Sequence, residues 1–110
     1  MSVGLYKYDG DIYDENSEIV LSENIASQAF YERCWRKAIL QFKIKYIQDG
    51  AEFDCSKKDQ AMRELDLLHG WAECNLRDEE LEYMKSRVEN LQKVIPAIFL
   101  DDEKAMLYIF

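Results

Sequence analysis

The side chains best suited to metal or nucleophilic chemistry are few here: one histidine and three cysteines, of which Cys55, His69 and Cys74 lie in one region. Their spacing, C-x13-H-x4-C, offers none of the close ligand pairs that structural zinc sites use. His69 and Cys74 are five positions apart, so a straight helix would not present both on one face. Two buried thiols and a histidine on a polar face account for the pattern, and neither a metal nor any other cofactor is expected. Asp9, Asp11, Asp14 and Glu15 form a second cluster, of a kind that could hold calcium. The helix–loop–helix calcium site requires glycine at its sixth position and glutamate at its twelfth. Counted from Asp9, those positions hold Asp14 and Val20, so a solvated acidic loop is the expectation. Nucleophilic catalysis would require His69 as the base for a cysteine or serine, without any G-x-S-x-G or catalytic-cysteine context to support it. With no glycine-rich phosphate loop either, the chain is expected not to be an enzyme.

Charge says more than chemistry. The 110 residues carry 22 acids and 14 bases, a net charge of −8. Residues 1–24 hold six acids and one base, whereas residues 25–50 hold two acids and five bases, Arg33, Arg36, Lys37, Lys43 and Lys45. The two remaining stretches, 51–75 and 76–110, each return to −3. An acidic surface of this kind would repel phosphates and suits a basic protein partner, because complementary charge speeds encounter and selects the partner. Tyrosines are common anchors at the energetic centre of such interfaces. The expected partner-facing residues are therefore Asp9, Asp11, Asp14 and Glu15 with Tyr6, Tyr8 and Tyr13 as anchors, followed by Asp78, Glu79 and Glu80. The leading expectation is a small inhibitory binding protein, an immunity protein or antitoxin that occludes the basic active site of a nuclease toxin. One alternative is a structural or adaptor module that associates through the apolar segment Ala105–Phe110. Another is nucleic-acid binding through Arg33, Arg36, Lys37 and Lys43, with Tyr31 and Trp35 on the same helix. Nucleic acid is disfavoured by the acidic surroundings, and the basic face has neighbouring acids with which to pair.

The elements that must position these residues read as mainly α. A hydrophobic content of 48% with 13% aromatics is that of a globular chain, and the length suits a single domain over 1–110. Four glycines and one proline are too few for a turn-rich β sandwich. Three main helices are expected, over about 22–48, 56–74 and 78–95. The first would be capped by Ser22, carry the stripe Ile25, Ala29, Phe30, Cys34, Ala38 and Phe42, and stop at Gly50. The second would start at Ser56 with a capping box and meet Gly70, a kink, a helix end or a close helix crossing. The third would carry Leu81, Met84, Val88, Leu91 and Ile95, and stop at Pro96. Residues 1–21 fit either an irregular segment or two short strands turning at Asp9-Gly10. The C-terminal stretch 97–110 fits strand–turn–strand or a linker and short helix, and the helical surroundings favour the helix. Three unpaired cysteines suit a reducing compartment, no leader-like apolar run is seen, and the longest apolar run is far below the ~20 residues of a membrane span. A cytoplasmic protein without membrane contact is expected.

Overall fold

Val3 and Leu5 alternate with Tyr6 and Tyr8, and this period of two makes Ser2–Asp9 a strand (β1) with one apolar face. The computed structural model describes residues 2–9 and 18–110, and of Asp9 the backbone alone. β1 pairs antiparallel with Glu18–Ser27 (β2) in a register that opposes Val3 to Ala26, Leu5 to Glu23 and Asp9 to Glu18. Two register shifts, between Val3 and Gly4 and between Lys7 and Tyr8, bend the pair. On its other side β1 pairs with Leu107–Ile109 (β4), which in turn pairs with Glu52–Phe53 (β3). The result is an antiparallel sheet in the order β2-β1-β4-β3.

The helices lie between β2 and β4 in the chain. Residues 28–42 form the first (α1), in which Tyr31–Trp35 is wound as a π segment, the Arg36 N–H donating to the Tyr31 carbonyl five residues back. The extra residue brings Tyr31, Cys34 and Trp35 all into the core ahead of Ala38 and Ile39. Lys58–Asn75 forms α2, entered through a 3-10 turn at Cys55–Lys57, and Asp78–Asp101 forms α3. These two pack side by side through Ala61, Leu65, Leu68 and Ala72 against Met84, Val88, Leu91 and Ile95, each at most 0% exposed. Val3, Leu5, Ile25, Phe53, Leu107 and Ile109 complete the same core from the sheet.

This is a mixed α/β fold, and the mainly-α bundle expected from the sequence is wrong. Ser22 caps no helix, because residues 18–27 obtain their backbone hydrogen bonds from β1, and the cap is Ser27, whose Oγ accepts from the Phe30 N–H at 3.3 Å. The first helix ends at Phe42 and not near 48. Lys43 takes a left-handed conformation (φ 55°), and Lys43 and Ile44 N–H both donate back to the Ile39 carbonyl. Gly50, at φ 90°, serves the turn before β3 instead. Asp54, not Ser56, caps the entry to α2, its Oδ1 accepting from the Ser56 N–H at 3.0 Å. Pro96 does not stop α3, which runs on to Asp101 and so takes in residues 97–100. The short C-terminal helix is a strand: Leu107 and Ile109 are buried while Tyr108 faces the other way. In residues 1–21, the expected first strand is present and pairs with β2, and the expected turn and second strand, through residue 13, lie outside the described residues.

Candidate protein-binding face

Directly opposed residues of an antiparallel sheet share a face. Since Leu5, Leu107 and Ile109 point into the core, the intervening residues of β1 and β4 build the other face. Tyr6 lies opposite both Ser22 and Tyr108, and Tyr108 opposite Glu52, so Ser22, Tyr6, Tyr108 and Glu52 form one row across the sheet. Tyr8, opposite Ile19, continues the face on one side of this row. Phe110 continues it on the other, exchanging backbone hydrogen bonds with Gly4 at 2.9 and 3.1 Å.

Four rings meet on this face. Tyr6 stacks on Phe110 with centroids 4.6 Å apart, Tyr8 sits edge-on to Tyr108 at 5.9 Å, and Tyr8 lies 6.4 Å from Phe110. Gly4 makes room for this cluster, since a Cβ there would meet the Tyr6 hydroxyl at 2.9 Å. Phe110 remains 44% exposed and Ile19 53% exposed, and Ser22, Asn24 and Glu52 on the same face are exposed as well. Ring pairs at such distances hold one another in place by about 0.5–1.5 kcal/mol each. The face is thus a fixed aromatic surface with polar and acidic residues at its margin.

Of the residues expected to meet a partner, Tyr6 and Tyr8 are on this face. Asp9 ends β1 opposite Glu18, with a side chain that is not described, and Asp11, Tyr13, Asp14 and Glu15 lie outside the described residues. Asp78, Glu79 and Glu80 are on a different element, the first turn of α3, where acids offset the unpaired N–H groups of the helix start. Glu80 is already engaged by Arg33 at 2.6 Å, which ties α3 to α1. Ile19 and Glu52 were not anticipated, and Tyr108 and Phe110 were expected only within the 105–110 segment of the adaptor alternative, although the alternation Met106, Tyr108, Phe110 against Leu107 and Ile109 would have placed them on one strand face.

Several of the remaining charged groups are paired within the fold. Arg36 binds both carboxylate oxygens of Glu32, at 2.6 and 2.7 Å, which holds the Glu32 carboxyl below the usual range and the guanidinium above its own. With Arg33 on Glu80, two of the bases on the α1 surface already have carboxylate partners. His69 stands between Glu73 (2.9 Å) and Glu89 (3.2 Å), linking α2 to α3, and no group of three or more His, Cys, Asp or Glu side chains among the described residues is placed to hold a metal ion. Burial, reinforced by Glu80, pushes the Cys34 thiol up, and burial likewise raises the Tyr31 phenol despite the N–H of Asp49 that its oxygen accepts. Among the described residues no helix is long and apolar enough to cross a membrane. No protein-family model, curated protein or solved structure matches this chain.

Proposed function

We propose that this protein is an acidic binding module that docks a basic protein partner on the aromatic face of its sheet. Masking the active site of a nuclease toxin, as an immunity protein or antitoxin does, is the function this chemistry suits best. The observation that carries the proposal is the cluster of Tyr6, Tyr8, Tyr108 and Phe110, four rings in mutual contact on one sheet face, with Phe110 44% exposed. Rings already held in place lose little freedom on binding, so most of the apolar area they bury goes into affinity. The net charge of −8 steers a basic surface towards them.

The test compares the wild-type protein with Tyr8→Ala/Tyr108→Ala as bait at low and moderate salt, with bound proteins identified and nuclease activity assayed in the eluate. A stoichiometric basic protein retained by the wild type, lost by at least tenfold in the double variant and inhibited when bound supports the proposal. Equal recovery by both baits removes the aromatic face from the interface. The adaptor alternative meets a specific obstacle, because Leu107 and Ile109 of its docking segment are 0% and 1% exposed and serve as core.

A further inference from the structure

Resting on the reading of this protein as a binding module, we propose that its partner is received at the edge of β2 that no other strand of the described residues covers. An extended basic segment adds there as a fifth strand and places apolar side chains in the groove between β2 and α3. The two edges of the sheet are unequal: β3 has two residues and runs directly into a 3-10 turn, whereas β2 has ten. A strand at a sheet edge directs about half of its N–H and C=O groups away from its only neighbour, and only another extended backbone matches that array. Long edges are ordinarily guarded by charge or proline, yet this one exposes Ile19 (53%) and Val20 (58%) side by side. At its far end Tyr83 closes the edge, its hydroxyl accepting from the Ser27 N–H at 3.1 Å. The open stretch is therefore residues 18–24.

The second observation is the groove itself. It measures about 350 Å³ and is walled by Val20 and Leu21 from the strand and by Val94, Ala97 and Ile98 from α3. Lys7, Glu23, Lys93 and Asp101 rim it, and Lys7 is drawn towards Asp102 at 3.4 Å. An edge strand beside a helix with an apolar floor between them is the arrangement by which strand-adding domains bind peptides: the main chain supplies affinity and alternate side chains fill the pocket. A second copy of this chain is disfavoured as occupant, because it would bring a charge of −8 against −8. A basic partner segment meets no such penalty.

The probe is an acetylated and amidated peptide of alternating lysine and valine, seven residues long, titrated into the isotopically labelled protein. Its control has proline for the central valine, with equal charge but no capacity to pair as a strand. The expected result is saturable binding with slowed amide exchange across residues 18–24, weakened at least tenfold for the control peptide. Ala97→Trp, at an exposed helix position, should fill the groove and weaken binding by a similar factor while the melting curve stays unchanged. Should that variant unfold, Val20→Lys on the exposed edge replaces it. Equal binding of both peptides, or no binding, overturns the proposal. Sedimentation showing a dimer with residues 18–24 protected overturns it in favour of self-pairing. Perturbation confined to Tyr6, Tyr8 and Tyr108 also overturns it, while leaving the binding module itself standing.

Discussion

Removing the carboxylate of Glu64 should destabilise this protein more than any other single polar substitution. Glu64 points from α2 into the core with 2% of its surface exposed, and it accepts backbone N–H bonds from Lys45 (2.8 Å), Tyr46 (2.9 Å) and Ile47 (3.1 Å). The loop after α1 therefore takes its shape from a side chain seventeen to nineteen residues further along. That shape in turn places Ile44 and Ile47 in the core, at 4% and 1% exposure. Hydrogen bonds to a charged group contribute about 1.5–3 kcal/mol each, and an orphaned buried donor costs about 1–3 kcal/mol. The Lys45 and Tyr46 donors are only partly buried and can find water, but the Ile47 donor is buried. We therefore expect Glu64→Ala to cost about 3–4 kcal/mol, against a total of roughly 5–15 kcal/mol for a domain of ordinary stability. Glu64→Gln keeps one acceptor for Tyr46 and Ile47 but turns its amide towards the Lys45 N–H, for about 2 kcal/mol. Trp35 and Trp71, both buried, report unfolding by fluorescence in urea. With a slope of about 2 kcal/mol/M, the Ala variant should shift the midpoint down by roughly 1.5–2 M. A loss below about 1 kcal/mol for Glu64→Ala, or a Gln variant indistinguishable from wild type, would refute the reasoning.

Gly70→Ala should stabilise by about 1 kcal/mol, since Gly70 sits inside α2 with nothing within 4 Å of an added Cβ; an unchanged or lowered urea midpoint would contradict this. Deleting residues 105–110 removes the strand between β1 and β3, so the cooperative unfolding transition should vanish, and a truncated protein that still unfolds sharply would contradict the sheet order. Towards a thiol reagent at neutral pH, Cys74 should react first, Cys55 more slowly, and Cys34 only on denaturation, as counted by mass spectrometry. The folded state raises the Cys34 thiol and the Tyr31 phenol above their ordinary values of 9.0 and 10.0, so near neutral pH both are protonated, folded or unfolded. As pH rises through 9 to 10 the unfolded chain releases these protons first, and stability should fall. Melting temperatures measured from pH 7 to 10.5 should hold level and then decline, and Cys34→Ala should soften the decline; a flat profile would show that burial of these groups does not govern alkaline stability.

The inner stripes of α2 and α3 were legible because both helices bury one face at a period close to 3.6, and Leu65, Leu68, Met84, Val88, Leu91 and Ile95 are core. The sheet was not, because its pairings are remote: Leu5 lies against Ile109, and no local window contains both. Residues 22–27 also satisfy two patterns at once. Ile25, Ala29 and Phe30 fit a helix, while Leu21, Glu23 and Ile25 alternate with exposed Ser22 and Asn24 as a strand should, and the bonds offered by β1 decide between them. Tyr6 and Tyr8 could be singled out by composition, but the face they share with Tyr108 and Phe110 exists only once the two ends of the chain are paired. Glu64 was invisible for the same reason: in sequence it is one acid among 22.

That pairing of the ends also orders events during synthesis. β1 leaves the ribosome early, yet its neighbour β4 arrives only with residues 107–109, and β3 has no mate in the sheet until then. The helical pair and the β1·β2 ribbon can form while translation continues, but the ribbon lacks one of its neighbours throughout that interval. Low-separation contacts form quickly and the closing contacts pay for a long loop, so β4 acts as a latch set after the helices. Until it is set, Leu5 faces an unfinished core and Tyr6 and Tyr8 lack Tyr108 and Phe110. A nascent chain should therefore have no assembled aromatic face with which to hold a partner until residues 107–110 have emerged and paired.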